Sequence, residues 1–218
     1  MYKIITAVSL LLLSPATFSK TYSFNTNKIY LDHFYENVYK DGKFIYSECS
    51  INGKTCDLEY NGEKVDKRMS WEHVVPSDRM SDYNNCGLLK RDECSSINMK
   101  FKLCYNNIHN LYPSIFKVNI IRSNRDMDIS TYKKIKPFNR NIYLGSGTFT
   151  PPYKSMGKIA RTYLYMQSID CIHLSREELY KYNNWNMVPV SKEEISRNAY
   201  IYLKTGTYNK FIYRGLIF

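Results

Sequence analysis

Two segments early in the chain have the sequence features of β-strands. Residues 43–60 surround Asn52-Gly53, a dipeptide typical of two-residue hairpin turns. Residues 69–75 form a second, largely apolar run, which Pro76 is expected to end. The early part of the chain therefore predicts a hairpin followed by a buried strand.

Later apolar residues recur at the spacing of a helix. One helix is predicted from a cap at Ser95 or Ser96 through residue 111, and another over 153–169. In the second, we expect the polar residues to lie largely opposite the apolar face. The apolar face holds Ile159, Tyr163 and Met166, and the polar residues are Lys154, Lys158 and Arg161.

Two capping boxes predict two more helices, at Ser175 with Glu178 and at Ser191 with Glu194. No linker rich in Pro, Gly or Ser divides the chain. The pattern favours a single α+β domain.

The first nineteen residues are interpreted as a signal peptide rather than part of this domain. Lys3 precedes ten apolar residues, and the small residues Thr17 and Ser19 suit a cleavage site. The alternative is a membrane anchor, but ten apolar residues are too few to cross a bilayer. We therefore expect a signal peptide over 1–19, an exported domain over 20–218 and no membrane span.

Six cysteines in an exported chain predict disulfides. The expected hairpin sets Cys49 opposite Cys56. A short basic loop lies between Cys86 and Cys94, which leaves Cys104 to pair with Cys171. A zinc site is the alternative, although no pair has C-x-x-C spacing.

The net charge favours an anionic partner. The chain holds 31 basic and 20 acidic residues, and removal of the signal peptide takes away only Lys3, so 30 − 20 leaves +10. Such an excess suggests nucleic acid or an anionic surface.

Glu72 and His73 are adjacent in the apolar run. In a regular strand they would point to opposite faces, and they could serve one site only if the strand ended or bulged there. A buried ion pair, or a histidine bonded to a backbone carbonyl, is the structural alternative. The common zinc protease signatures are absent.

A second polar cluster lies in "CYNNIHNLYPS". On a helix, Asn106, Asn107 and Asn110 would share a face and could offer an oxygen ligand to a hard cation. A solvated face near the helix end is the alternative.

Four ordered segments resemble the bacterial endonuclease I family of periplasmic and secreted nucleases. They are "WEHVVP", "HNLYPS" with "VNIIRSN", "PPYKSMGKIARTYLYM" and "NWNMVPV", and the resemblance covers about 44–211. It implies a ββα-metal, or His-Me finger, active site within the disulfide-stapled domain.

The resemblance also implies roles for individual residues. Glu72 and Asn110 would hold Mg²⁺, with Mn²⁺ or Ca²⁺ as other candidate ions, and His73 would be the general base. Arg91, three residues before Cys94, would hold the phosphate, and Arg122 would support the site from outside.

The sequence departs from the family pattern at several positions. Ser70 stands where members often carry Glu, and Thr207 and Lys210 alter the closing segment. Cys104 and Cys171 replace residues that are often not cysteine in relatives, and their joint appearance agrees with their pairing.

Together these features predict an exported Mg²⁺-dependent endonuclease, periplasmic or secreted and monomeric. It would bind DNA, and RNA as a further candidate, through phosphates with low sequence specificity, leaving 5′-phosphate and 3′-hydroxyl ends. The alternatives are a catalytically silent basic protein that binds nucleic acid or the cell envelope, and another metal hydrolase.

Overall fold

Helices and short strands interleave along the chain in a computed structural model that describes residues 22–53, 56–129 and 135–212. The predicted signal peptide lies outside these residues. Among them, no helix is both long enough and apolar enough to cross a bilayer. The helices are α1 (Phe24–His33), α2 (Ser77–Tyr83), α3 (Arg91–Ile97), α4 (Met99–Tyr105), α5 (Phe116–Arg122), α6 (Tyr153–Ser168), α7 (Arg176–Trp185) and α8 (Lys192–Thr205).

The described strands form three small sheets. The first pairs β1 with β2, the second pairs β3 with β4, and the third has the order β5-β7-β6. Both the first and the second sheet are antiparallel. The strands are β1 (Glu59–Tyr60), β2 (Glu63–Lys64), β3 (Met69–His73), β4 (Leu111–Ile115), β5 (Asp126–Met127), β6 (Tyr143–Gly145) and β7 (Thr148–Thr150). The α+β prediction is confirmed.

The antiparallel pair of β3 and β4 positions the acid–histidine pair. Glu72 lies opposite Tyr112 and His73 opposite Leu111, so the last pair of the ladder is also the end of β3. The helix α5 follows β4 directly and packs back against both strands. This return brings polar side chains of α5 to the end of β3.

The predicted hairpin over 43–60 is not formed in the described residues. Lys43 and Ser50 make only an isolated bridge, and neither Asn52 nor Gly53 has the positive φ that a type I′ turn requires. The Asn52 amide instead donates to the backbone carbonyls of Tyr35 and Lys40. A tertiary contact therefore replaces the local turn.

The single helix predicted from Ser95 or Ser96 to residue 111 is wrong. The chain forms α3 and α4, separated at Asn98, whose side chain caps α4 by accepting from the Phe101 amide. A short 3₁₀ turn, Ile108–Asn110, follows. Consequently Asn106, Asn107 and Asn110 do not share a face of one helix.

The helices after Ser175 and Ser191 are confirmed with both capping boxes, and α6 matches the prediction for 153–169. The expected polar face of α6 is wrong at Arg161. This side chain is buried and donates to both carboxylate oxygens of Glu194 at 2.7 and 3.0 Å. Gly157 leaves room for it, since a Cβ there would lie 2.5 Å from Arg161 Nη2.

All three predicted disulfides are present, and together they use all six cysteines. The cysteine zinc site is therefore excluded. The cysteines of each pair have Cα atoms 5.4–5.7 Å apart, and the partners lie 7, 8 and 67 positions apart in sequence. The Cys104–Cys171 bond therefore ties α4 to the chain just after α6.

We expect the long-range disulfide to stabilise the fold more than a short-range one. Loop-closure entropy predicts a loss of about 4 kcal/mol in the free energy of unfolding for Cys104→Ala with Cys171→Ala, against about 2.5 kcal/mol for Cys49→Ala with Cys56→Ala. Urea denaturation of both double variants measures this difference. Equal losses would show that native packing around the bonds, rather than loop length, sets their contributions.

Candidate active site

Side chains of α5 donate hydrogen bonds to a hydroxyl and to carbonyl groups at the end of β3. Asn119 Nδ2 donates to the Ser70 hydroxyl at 2.9 Å and to the Trp71 carbonyl at 3.4 Å. Arg122 donates to the carbonyls of His73 and Val74 at 3.1 and 2.6 Å. The spacing i, i+3 puts Asn119 and Arg122 on one face of α5. The helix thereby fixes the backbone where the strand stops.

Glu72 is a buried carboxylate with one oxygen bonded and one available. Its Oε1 lies 2.9 Å from Arg122 Nη1 and accepts from the Tyr46 hydroxyl at 2.8 Å. Burial raises the pKa of the Glu72 carboxyl, whereas the Arg122 charge and the Tyr46 hydrogen bond oppose that rise. Its Oε2 has no hydrogen-bond partner among the described residues.

His73 is held in one tautomer by the backbone. Its Nε2 lies 2.9 Å from the carbonyl oxygen of Tyr105. Because a carbonyl can only accept, Nε2 carries the hydrogen and Nδ1 carries the lone pair. Burial, together with the charges of Arg91 and Arg122, lowers the pKa of His73 to about 4, while the Tyr105 bond opposes the shift. The imidazole is therefore neutral at pH 7 and able to accept a proton.

A cleft of about 290 Å³ opens beside these groups. Glu72, His73 and Arg122 reach it from the end of β3 and from α5, and Arg91 reaches it from the start of α3. The lining residues are Trp71, Glu72, His73, Pro76, Ser77, Asp78, Arg91, Asn119, Arg122, Ser123 and Asn124. The cleft thus combines two carboxylates, a neutral imidazole, two amides and two guanidinium groups.

A family model for endonuclease I matches residues 11–215 of this sequence. The chain belongs to the endonuclease I family. It is 31% identical over 154 residues to Endonuclease-1 of Buchnera aphidicola subsp. Acyrthosiphon pisum, a match covering 67% of this chain and 60% of that protein. It is 28% identical over 194 residues to an extracellular deoxyribonuclease of Aeromonas hydrophila, with 85% of each chain covered.

A periplasmic deoxyribonuclease of Aeromonas hydrophila is also similar to this endonuclease I family member. The two are 28% identical over 152 residues, which cover 66% of this chain and 63% of the relative. The relatives named for a cellular location thus include both extracellular and periplasmic proteins. The match to the Buchnera aphidicola protein spans less than two thirds of that protein's length.

The cleft contains all but one of the site residues predicted from the sequence. Asn110 lies outside it, buried, with its Oδ1 accepting from the Val75 amide at 2.8 Å and its Nδ2 donating to the Val75 carbonyl at 3.0 Å. Both ends of this amide are engaged in joining the 3₁₀ turn to the chain after β3. Its oxygen is poorly placed to coordinate an ion in the cleft.

Asn119 is not among the predicted ligands, yet it lines the cleft. Its Nδ2 makes the bonds to Ser70 and Trp71, which leaves Oδ1 without a partner among the described residues. Asn119 Oδ1 and Glu72 Oε2 accept no hydrogen bond from the described residues, and both are oxygen ligands of the kind that Mg²⁺ prefers. The donor set therefore fits a magnesium ion.

Two residues that depart from the family pattern, Ser70 and Thr207, make local contacts. Ser70 accepts the hydrogen bond that orients Asn119. Thr207 Oγ1 lies 3.3 Å from His109 Nε2, at the side of the molecule where α8 ends. The substituted residues thus contribute contacts of their own to the amide in the cleft and to a buried histidine.

His109 is expected to make the fold sensitive to acid. Burial and the charge of Arg197 lower its pKa to about 3, despite the Thr207 contact. The unfolded chain, with an ordinary pKa near 6.5, therefore binds more protons between pH 6.5 and 3. Stability that is present above pH 6.5 is lost as the pH falls, by up to about 1.4 kcal/mol per pH unit.

Urea denaturation from pH 7.5 to 4.5 measures this effect. His109→Gln should reduce the dependence of the unfolding free energy on pH, and part of the remaining dependence should come from His73, whose pKa is also lowered. His173→Gln, at an exposed position, is the control and should not reduce it. If His109→Gln and the wild type lost stability equally over this range, another group would be responsible.

Proposed function

We propose that this chain is an exported Mg²⁺-dependent endonuclease that hydrolyses phosphodiester bonds of DNA. The observation that carries the proposal is the cleft in which Glu72, His73 and Arg91 meet in a member of the endonuclease I family. We further propose that the pair β3–β4 and the helix α5 together form a ββα-metal site.

Glu72 and Asn119 are the proposed magnesium ligands. Each presents one oxygen that is not engaged by a protein donor, and the other polar atoms of both side chains are fixed by hydrogen bonds. Asn119 takes the role that the sequence suggested for Asn110, whose amide is bonded at both ends. When bound, Mg²⁺ would stabilise negative charge on the phosphate and on the leaving oxygen.

His73 is the proposed general base. Its Nδ1 would take a proton from water while Nε2 stays bonded to the Tyr105 carbonyl, so the ring keeps its orientation as it becomes charged. The resulting hydroxide would attack the phosphorus in line with the 3′ oxygen. The P–O3′ bond then breaks and the departing O3′ takes a proton from solvent water, which leaves a 5′-phosphate and a 3′-hydroxyl.

The two arginines have separate proposed tasks. The exposed Arg91 would hold the phosphate, because its planar guanidinium can donate two parallel hydrogen bonds to phosphate oxygens. The buried Arg122 would fix Glu72 and the end of β3 through its contacts with the carboxylate and the carbonyls. Arg122 therefore supports the site rather than the substrate.

An excess of basic residues favours binding to the phosphate backbone of a nucleic acid, and this binding does not depend on the base sequence. The net charge of +10 expected for residues 20–218 supports binding to DNA, and RNA is a further candidate substrate. Relatives named as extracellular and periplasmic deoxyribonucleases and the three disulfides support a periplasmic or secreted location. We propose that the enzyme acts as a monomer.

Plasmid nicking tests the proposal. Supercoiled DNA should be nicked in Mg²⁺ and remain intact in EDTA, and the nicks should be sealed by ligase because their ends carry 5′-phosphate and 3′-hydroxyl groups. Binding without cleavage under both conditions would identify a silent nucleic-acid-binding protein instead. Hydrolysis of other phosphodiesters without nicking would identify a different metal hydrolase.

A further inference from the structure

Tyr105, the last residue of α4, contacts both groups proposed to act on the phosphodiester. Its backbone carbonyl accepts from His73, and its hydroxyl oxygen lies 3.2 Å from Arg91 Nη1. Its ring lies parallel to the imidazole, with centroids 4.5 Å apart and an interplanar angle of 18°. The residue does not line the cleft itself. Any effect that it has on the substrate must pass through His73 or Arg91.

The ring of Tyr105 restricts His73 in a way that the carbonyl cannot. A single hydrogen bond at Nε2 fixes one atom of the imidazole, but it allows the ring plane to tilt about that bond. Stacking on a parallel ring fixes the plane, and Phe24 adds a third near-parallel ring 5.6 Å from the imidazole. Nδ1 is then held in one direction.

The hydroxyl of Tyr105 restricts Arg91. The arginine side chain is long and exposed, so without a partner it would sample many rotamers. Its Nη1 donates to the phenol oxygen, and its guanidinium carbon lies 5.5 Å from the centroid of the same ring. Among the described residues, only the Tyr105 hydroxyl accepts from the five N–H donors of this guanidinium, so the others remain available for a phosphate.

We infer that Tyr105 is a positioning residue that orients the His73 imidazole through its ring and the Arg91 guanidinium through its hydroxyl. One side chain thereby sets the relative placement of the proton acceptor and the phosphate-binding group. The inference rests on the proposed function, since it assigns these two groups to one reaction.

Two substitutions separate the two contacts. Tyr105→Phe keeps the ring and the carbonyl but removes the partner of Arg91, and the loss of one hydrogen bond predicts a single-turnover rate roughly 2–10-fold lower. Tyr105→Leu also removes the stack and should lower the rate by roughly a further 2–10-fold. The dissociation constant for DNA, measured in EDTA, should change much less than the rate.

Mutant cycles provide the decisive readout. In an Arg91→Ala background, Tyr105→Phe should have no further effect, whereas Tyr105→Leu should still lower the rate. In a His73→Ala background, Phe and Leu at position 105 should give equal rates. Tyr180 on α7, which is exposed, serves as the matched control, since Tyr180→Phe and Tyr180→Leu should leave the rate unchanged.

A purely structural role for Tyr105 would give different results. If Tyr105→Phe and Tyr105→Leu lowered the rate by the same factors in the Arg91→Ala and His73→Ala backgrounds as in the wild type, the inference would be overturned. The ring-proton NMR shifts of His73 provide a readout independent of activity, because ring current from Tyr105 acts on them in the wild type. They should be kept in Tyr105→Phe and moved in Tyr105→Leu, and an unmoved signal in Tyr105→Leu would overturn the stacking role even if the wild type cut no DNA.

Discussion

His73→Ala should reduce DNA cleavage by about 10²–10⁴-fold, the usual contribution of a positioned general base. The loss should appear in the single-turnover rate at saturating Mg²⁺. The affinity for DNA should stay close to that of the wild type, because phosphate contacts made by basic side chains dominate binding. Measuring cleavage, DNA affinity in EDTA and the melting temperature on one preparation tests all three statements.

His33→Ala is the matched control. His33 lies on α1 at an exposed position, and its ring also stacks on a tyrosine, Tyr200, at a centroid distance of 6.1 Å. The control removes the same atoms and a similar aromatic contact away from the cleft, so its cleavage rate should not change. A folded His73→Ala protein that cut at the wild-type rate would refute the assignment. Unfolding of His73→Ala alone would favour a structural histidine.

Local chemistry was sufficient to predict part of this fold. The boxes at Ser175 and Ser191 act within three residues, so the starts of α7 and α8 could be predicted without tertiary information. The disulfides were also predicted correctly. Of these, the Cys49–Cys56 pair is present although the Asn52-Gly53 turn that suggested it is not.

Errors arose where distant partners decide the structure. Asn52 gives its amide to carbonyls of Tyr35 and Lys40, and Arg161 pairs with a carboxylate 33 positions away. Local periodicity contains no signal for either contact. The break at Asn98 is different, because Asn is a good N-cap and its position before "MKF" offered a local signal.

The proposal of Asn119 rather than Asn110 as the second ligand also depends on contacts between distant residues. Asn110 and Asn119 both lie in segments that resemble the family, and spacing alone does not indicate which amide reaches Glu72. The decision depends on the return of α5 against β3, which directs Asn119 to Ser70 and Trp71 and leaves Asn110 beside Val75. The i, i+3 spacing of Asn119 and Arg122 was the available sequence signal.

Glu72→Gln and Asn119→Ala should each weaken Mg²⁺ binding by more than the roughly 10–100-fold typical of losing a residue that only supports a metal ligand. Glutamine is chosen because it retains an oxygen for Arg122 and Tyr46. Alanine at position 72 would leave a buried guanidinium without its partner, at a cost of about 3–5 kcal/mol. Cleavage at low Mg²⁺ should fall accordingly, and higher Mg²⁺ should partly restore it in Asn119→Ala.

Asn110→Ala is the comparison that separates the two amides. Removing its bonds to both backbone atoms of Val75 leaves a buried N–H and a buried carbonyl unsatisfied, which should lower the free energy of unfolding by about 1–3 kcal/mol for each group. The Mg²⁺ affinity of the folded fraction should not change. Titration calorimetry with Mg²⁺ and urea denaturation on both variants distinguish the roles: if Asn110→Ala lost metal affinity while Asn119→Ala kept it, the second ligand would be Asn110, and the cleft would have to rearrange to bring its oxygen to the ion.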